Sequence, residues 1–276
     1  MVKVWRRNWT AAARHYSDAD AIVVSMGKSG RTWLRVFLYS YFCALENREF
    51  TLKSRELAGS KIPKLIFTHD LWGCRTARKL IDNLRGRHLI PPLESRTKPI
   101  LLLVRDPRDV IVSLFFQVTK RLRRYNGGLS EMIRHRKFGI DSIVDVMNAW
   151  LAEWSSRGDF KLLRYEDCRK NTAEAFRGVL EFLGIREIDE AVFARSLQFS
   201  SFENMKNLEA SGQFRTKILS PGDANDPESY KTRRGLVGGF KQYLTADDIR
   251  YLDQAMTRLD ERYGYGRESG AGSSGR

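Results

Sequence analysis

The sequence predicts an α/β fold of one domain, in which helices cover both faces of a mainly parallel central sheet to give three layers. Short apolar strands alternate with helical segments from residue 21 to residue 183, the order typical of layered α/β folds. The apolar run ILLLV at residues 100–104 follows Pro99 and is typical of a buried parallel strand. A glycine-bearing loop also separates the first strand from the first helix.

The first strand, Ala21 to Ser25, runs into a loop with two glycines and a lysine, and a helix opens at about Thr32. The first N–H groups of a helix have no partner within it, and the helix dipole favours negative charge there. Lys28 adds a positive charge, and Ser29 and Thr32 add hydroxyl donors. The stretch therefore predicts a phosphate or sulfate site, with an ordinary strand–turn–helix as the alternative.

This loop is not a Walker A loop, because Lys28 precedes the second glycine, Gly30, and the spacing from Gly27 is too short. The residues that follow, 33–45, are apolar nearly all round and predict a helix that is buried on most faces.

The rest of the chain predicts three more strands and several helices. Asp106 is the expected N-cap of the helix after the third strand, and Pro107 suits its first turn. Polar loops follow residues 25, 68 and 104, at the strand ends where parallel sheets bind ligands. The predicted strands cover residues 64–68, 100–104 and 161–165, and the helices 75–87, 107–124, 140–154, 173–183 and 246–262.

We expect a lead-in at residues 1–20, one domain at 21–265 and a disordered tail at 266–276. The lead-in carries Trp5 and Trp9, which could pack at helical spacing, and the stretch 211–231 is predicted to be a mobile excursion. The N-terminus lacks the apolar run of a signal peptide, and no stretch approaches the ~18 apolar residues of a membrane span. We therefore expect a cytoplasmic protein.

The net charge indicates which partners the protein binds, and the cysteine content indicates its compartment. The 276 residues include 48 Lys and Arg against 33 Asp and Glu, a net charge of +15. Such a charge predicts an anionic partner, which could be a phosphorylated cofactor, an acidic acceptor, nucleic acid or a membrane surface. The three cysteines are far apart and form no CxxC, so we expect no zinc site, no disulfide framework and a reducing compartment.

Three segments together resemble the cytosolic-type sulfotransferases that use 3′-phosphoadenosine 5′-phosphosulfate. The loop MGKSGRTW at residues 26–33 is similar to the family's Tyr-Pro-Lys-Ser-Gly-Thr-Thr-Trp. Arg105 and Ser113 have the eight-residue spacing of its second motif, and residues 233–241, RRGLVGGFK, resemble its C-terminal Arg-Lys-Gly segment. The resemblance spans residues 21–262 and implies a P-loop-like α/β fold and a sulfotransferase activity without a metal.

The resemblance also implies which residues bind the donor. The N-terminal loop would grip the 5′-phosphosulfate, with Trp33 near the adenine, while Arg105, Ser113 and Arg233 would hold the 3′-phosphate. Arginine suits that phosphate because its planar fork binds such groups with two hydrogen bonds. The implied donor-binding residues are Lys28, Ser29, Gly30, Arg31, Thr32, Trp33, Arg105, Ser113, Tyr165, Ser200, Phe202, Arg233, Arg234 and Gly235.

Two residues are the expected catalytic groups. Lys28 would stabilise charge that builds on the bridging oxygen, and His69 resembles the family's catalytic histidine and would remove the acceptor proton. Asp70 could orient His69 or act as the base itself.

The chain departs from the family pattern at several positions. Phe67 stands where the family has a lysine, Arg31 replaces a threonine in the loop, and Gly239-Phe240 replaces Asp-Trp. Only Lys241 and Thr245 remain of the stretch that forms dimers in some members, so the assembly stays open.

Two other functions are alternatives that the sequence suggests. A P-loop-type nucleotide kinase would need a Walker A loop and an acidic strand end for magnesium, and neither is present. A basic nucleic-acid-binding protein is suggested by the clusters at 120–124 and 134–137, which are more typical of solvated helix faces, so no nucleic acid is expected. The basic loops predict an acceptor that is an anionic or hydroxyl-rich small molecule, a glycan or a lipid.

Overall fold

A computed structural model describes residues 15–53, 57, 62–76, 88–212 and 218–266. Its sheet has four parallel strands in the order β2-β1-β3-β4. Because the strands are parallel, their carboxyl ends lie at one edge, as the sequence predicted. The strands are β1 (Ala21–Ser25), β2 (Leu65–Thr68), β3 (Ile100–Val104) and β4 (Phe160–Arg164).

The helices lie between and after these strands. Residues 117–121 continue α4 as a π-helical turn, and short 3₁₀ turns occupy residues 227–229, 239–242 and 261–263. The α-helices are α1 (Arg31–Leu45), α2 (Asp70–Thr76), α3 (Pro92–Thr97), α4 (Pro107–Phe116), α5 (Leu129–Ile133), α6 (Ile140–Trp154), α7 (Tyr165–Lys170), α8 (Thr172–Phe182), α9 (Glu190–Phe199), α10 (Phe202–Ser211) and α11 (Ala246–Met256).

Alternate side chains of the two central strands enter two separate cores. Ile22 and Val24 of β1 pack in a core with residues of α4, α6 and α11. Ala21 and Val23 of β1 pack in a second core with residues of α1, α8, α9 and α10. Since successive strand residues point to opposite faces, both faces of the sheet are covered. This confirms the predicted three-layer α/β fold with a parallel sheet.

Elements with strong local signals lie where the sequence predicted them. The bounds of β1, β3 and α6 match the prediction. Asp106 caps α4 by accepting a hydrogen bond from the Arg108 backbone N–H at 2.9 Å, and Pro107 opens the helix. The predicted continuation of this helix into the basic cluster ends at Arg121.

Three elements depart from the predicted bounds in an informative way, beside shifts of one residue in β2 and α8. The fourth strand ends at Arg164 because Tyr165 already opens α7. Helix α2 begins at Asp70, before the predicted start at Arg75, and residues 77–87 of that predicted helix lie outside the described residues. The last helix ends at Met256, because the Asn148 side chain holds the chain beyond it through hydrogen bonds to the backbones of residues 258 and 260.

The predicted ends of the domain stay predictions. Trp5, Trp9 and the tail from residue 267 lie outside the described residues. Within the described ranges, no helix combines the length and apolar character that crossing a bilayer requires.

Candidate active site

A cavity of about 260 Å³ opens at the carboxyl edge of the sheet, beyond β1, β2 and β3. Its volume is close to the lower end for small-molecule pockets. Ser29 and Ser200 do not line the cavity, and both are fully buried. The predicted site residues that do line it are Lys28, Gly30, Arg31, Thr32, Trp33, His69, Arg105, Ser113, Tyr165, Phe202, Arg233, Arg234 and Gly235.

The loop between β1 and α1 leaves the helix N-terminus open to this cavity. Lys28 and Gly30 both have left-handed backbones, with φ of 71° and 90°. A Cβ on Gly30 would lie 2.8 Å from the Tyr165 ring, so this turn requires glycine. Gly30, the N-cap of α1, provides no side-chain cap. The first N–H groups of α1 can therefore donate hydrogen bonds to a bound anion.

Lys28 is a buried cation in a strongly positive environment. Its Nζ donates to the backbone carbonyl of Lys231 at 3.4 Å. The pKa of Lys28 is lowered from 10.5 to about 7, mainly by burial and also by the nearby charges of Arg121 and Arg105. An anion bound beside Lys28 would raise that pKa again.

Arg105 lies at the β3 side of the cavity and contacts residues 236–240, which Asp109 holds in place by hydrogen bonds. Its Nη2 donates to the Leu236 carbonyl at 2.6 Å and pairs with the Asp109 carboxylate at 3.2 Å. The same carboxylate accepts hydrogen bonds from the backbone N–H groups of Gly238 and Phe240 at 2.8 and 2.9 Å. Asp109 therefore positions Arg105 and holds residues 236–240 above it.

Arg233 and Arg234 differ in how they are held. Nη1 of Arg233 donates to the Glu228 carboxylate at 2.8 Å and to the Tyr243 hydroxyl at 2.6 Å, and its guanidinium lies 4.1 Å from the centre of the Phe116 ring. Arg233 is thus fixed in the cavity wall, whereas the Arg234 side chain is 44% exposed. Ser113, on α4, lines the same side of the cavity.

Aromatic side chains form another wall of the cavity. Trp33 contacts Tyr165 and Phe176, with ring centres 5.9 and 5.1 Å apart. The Arg169 guanidinium lies 5.9 Å from the ring centres of both Trp33 and Phe202. Such rings provide a stacking surface for a planar ligand. Ser200, predicted to belong to this region, instead donates its hydroxyl to the carbonyl of residue 197.

His69 has one ring nitrogen committed to the backbone and the other available. Its Nδ1 lies 2.7 Å from the Ser25 carbonyl oxygen, which can only accept, so Nδ1 carries the proton and Nε2 keeps its lone pair. Burial, followed by the charge of Arg31, lowers the pKa of His69 to about 3. The imidazole is therefore neutral at physiological pH, as a proton acceptor must be.

Asp70 is turned away from the cavity. Its Oδ1 accepts from the backbone N–H of Ile90 at 2.9 Å, and its Oδ2 accepts from Trp150 Nε1 at 3.0 Å. The side chain is fully buried and does not line the cavity. It does not orient His69 directly, since the partner of His69 Nδ1 is the Ser25 carbonyl.

Lys231 and Glu209 are among the residues of the site that were not predicted from the sequence. Lys231 lines the cavity with its Nζ 2.9 Å from the Ile218 carbonyl, and burial and the charge of Lys28 lower its pKa strongly. The fully buried Glu209 accepts hydrogen bonds from the backbone N–H groups of Lys231 and Thr232 at 2.6 and 2.8 Å. Lys231 could have been noticed in the basic run KTRR, but no local signal marks Glu209.

Within the described part of the chain, no three His, Cys, Asp or Glu side chains are arranged to hold a metal ion. The chemistry that the cavity can support comes from cations, from helix N–H groups and from one neutral imidazole.

Comparison with known proteins gives the same family that the motifs suggested. The family described as "Sulfotransferase domain" matches residues 18–264. Sulfotransferase 2A1 of Rattus norvegicus is 26% identical over 255 residues, covering 87% of this chain and 84% of that protein. Flavonol 3-sulfotransferase of Flaveria bidentis is 25% identical over 272 residues, covering 89% and 82%.

Solved structures share the fold. Mouse sulfotransferase SULT7A1 complexed with PAP superposes with a TM-score of 0.63 at 20% identity, covering 89% of this chain and 87% of that one. Retinol dehydratase in a complex with retinol and PAP gives 0.64 at 19% identity, covering 89% and 83%.

Proposed function

Because the chain belongs to the sulfotransferase family, we propose that it transfers the sulfonate of 3′-phosphoadenosine 5′-phosphosulfate to a hydroxyl or amine of an acceptor. One observation carries this proposal: a single cavity has two cationic ends with an aromatic wall beside them. Lys28 and the N-terminus of α1 form one end, and Arg105 and Arg233 form the other. A nucleotide phosphorylated at both ends needs this arrangement.

The proposed reaction is an in-line displacement at sulfur. The acceptor oxygen forms a bond to sulfur while the bond from sulfur to the phosphate oxygen breaks, and adenosine 3′,5′-bisphosphate leaves. The acceptor proton passes to His69 Nε2, which the protonated Nδ1 leaves free to accept it. Lys28 neutralises the charge that develops on the leaving phosphate.

Lys231 is proposed as a second cation at the transferring group. Lys231 interacts electrostatically with both proposed catalytic groups. The charge of Lys28 lowers the pKa of Lys231, and the charge of Lys231 lowers the pKa of His69. Lys231 lines the same cavity as Lys28 and His69, and its backbone carbonyl accepts a hydrogen bond from Lys28 Nζ at 3.4 Å, which supports a place for its side chain near the sulfonate. In this position Lys231 can donate a hydrogen bond to a sulfonate oxygen. Phe67, which stands where the family has a lysine, cannot make such a bond.

The two other functions gain no support from the geometry. Arg134 of the second basic cluster pairs with the carboxylates of Asp247 and Asp248, and Arg123 of the first lies 3.6 Å from the Asp223 carboxylate. These pairs reduce the positive charge that either cluster could offer to nucleic acid.

Calorimetry with nucleotides tests the proposed function. We expect adenosine 3′,5′-bisphosphate to bind at least about tenfold more tightly than AMP, because the 3′-phosphate makes charge-assisted bonds with Arg105 and Arg233. EDTA should leave that affinity unchanged. Equal affinities for the bisphosphate, AMP and ATP would contradict the proposal, and sulfonate transfer from the radiolabelled donor would complete it.

Bisphosphate binding should also take up protons above pH 7. In the free protein the pKa of Lys28 is about 7 and that of Lys231 is also low, because both are buried among cations. Bound phosphates raise both values, so Lys28, whose pKa lies near 7, takes up a proton on binding, and affinity falls as the pH rises from 7 to 9. Calorimetry in buffers of different ionisation enthalpy measures this uptake, which Lys28→Met should reduce. Equal heats in all buffers at pH 8 would contradict this uptake of protons.

A further inference from the structure

We infer that the acceptor is itself an anion, and that Arg31 binds its carboxylate or other acidic group beside the hydroxyl that receives the sulfonate. The inference rests on the proposed function for the reaction and adds the class of acceptor. Its basis is the position of Arg31, the lack of a carboxylate partner among the residues that the structure describes, and the groups whose pKa the charge of Arg31 shifts.

Arg31 faces the β2 side of the cavity. It is the first residue of α1 and lines the cavity together with His69, which directly follows β2. Arg35 lies one turn later on the same helix face, and its guanidinium is 5.0 Å from the centre of the Phe67 ring on β2. Arg105, by contrast, follows β3, on the opposite side of β1.

Arg31 and Arg35 have no acidic partner among the described residues. The arginines on the β3 side are paired, Arg105 with Asp109 and Arg233 with Glu228. Nη2 of Arg35 donates to the Leu52 carbonyl at 3.0 Å, a neutral partner that does not balance its charge. Arg31 and Arg35 are both half-buried, and an anion that enters from solvent would offset the cost of holding two neighbouring cations there.

The charge of Arg31 reaches the residues around the proposed acceptor position. Burial and the charge of Arg35 lower the pKa of Arg31 only to about 10, so it stays charged at neutral pH. That charge lowers the pKa of both His69 and Lys231. An anionic group bound to Arg31 would offset this effect on His69 and make the imidazole a stronger base when such an acceptor is present.

The donor does not need the Arg31 side chain. Its phosphates can be bound by Lys28, Arg105, Arg233 and the N–H groups of α1, whereas Arg31 would contribute its backbone N–H to that loop. The Arg31 guanidinium is then available to bind the acceptor. An arginine binds a carboxylate or sulfate with two parallel hydrogen bonds, which fixes the orientation of the acceptor as well as its affinity.

The test compares hydroxy acids with their methyl esters. Lithocholate, 12-hydroxydodecanoate and 4-hydroxyphenylacetate are each paired with the corresponding ester. Sulfonate transfer is measured with the donor, and binding is measured by calorimetry on the complex with adenosine 3′,5′-bisphosphate. We expect the acid of at least one pair to be favoured by about tenfold or more.

Variants then assign this preference to one side chain. Arg31→Thr should reduce the acid-to-ester ratio about tenfold or more, and Arg31→Lys should restore part of it because it keeps the charge. Arg186→Thr is the matched control, since this exposed arginine does not line the cavity and should leave the ratio unchanged. Bisphosphate binding at wild-type stoichiometry shows that each variant is folded.

Two results would overturn the inference. One is that no acid is favoured over its ester in either transfer or binding, and the other is that the ratio is the same in Arg31→Thr as in the wild type. If the wild type binds the bisphosphate and sulfonates esters as well as acids, the proposed function stands and this inference fails. If the wild type does not bind the bisphosphate, it is the proposed function that fails.

Discussion

Replacing His69 by glutamine is expected to lower kcat by about 10²–10⁴-fold, the usual effect of removing a general base. Glutamine keeps a polar side chain of similar length that cannot accept a proton at neutral pH, so the substitution removes the general base. The bisphosphate should bind His69→Gln within about threefold of the wild-type affinity. Steady-state kinetics and calorimetry measure the two quantities separately.

His135→Gln is the control, because His135 does not line the cavity. The pH profile gives a second check. Since the pKa of His69 is about 3 in the free protein, His69 stays unprotonated down to about pH 5, and kcat/KM should show no fall near pH 6.5 from its protonation. Wild-type turnover in His69→Gln would remove His69 from the chemistry. A fall of kcat/KM at pH 6.5 that His69→Gln abolishes would show that the imidazole is more accessible to protons than its burial indicates.

Replacing Lys28 by methionine is expected to lower kcat by about 10²–10³-fold, as the loss of one group that stabilises developing charge does in other enzymes. Methionine keeps the length of the side chain, and neither residue is branched at Cβ, so the left-handed backbone at φ 71° is strained to the same extent in both. Bisphosphate affinity should fall as well, because Lys28 would contact the phosphate in the product complex. Kinetics and calorimetry again report both effects.

The variant Lys231→Met distinguishes the proposed role of Lys231 from that of Lys28. It leaves the backbone N–H that Glu209 accepts, and we expect it to lower kcat more than bisphosphate affinity, because the proposed partner of Lys231 is the sulfonate, which the bisphosphate lacks. Lys206→Met, which removes an exposed lysine, is the control for net charge. Wild-type kcat in Lys28→Met would contradict the proposed stabilisation of the leaving oxygen.

The fold was largely predictable because its signals are local. An apolar run between turn residues marks β3, and a helical repeat of apolar residues marks α6, so their bounds match. The end of β4 was predicted one residue too late because Tyr165 has high strand propensity. Its ring instead packs at 2.8 Å from the position of a Cβ on Gly30, a contact between distant segments that strand propensity does not register.

Residues of the candidate site could be predicted from the sequence only where they belong to a recognisable motif. The loop 26–33 and the segment 233–241 placed nearly half of the residues that line the cavity. The buried role of Asp70 depends on Trp150, 80 residues further along the chain, and the position of Lys231 depends on Glu209. Such pairings between distant segments leave no periodic pattern in a single sequence, and only the folded chain brings them together.

The hydrogen bonds of Glu209 have an implication for how such a site can diversify. Its carboxylate grips main-chain amides, which every residue type except proline supplies. The path of the chain into Arg233 is therefore held through backbone groups. Thr232, which also lines the cavity, is a position where a substitution can change the polarity of the cavity wall while this backbone path is kept.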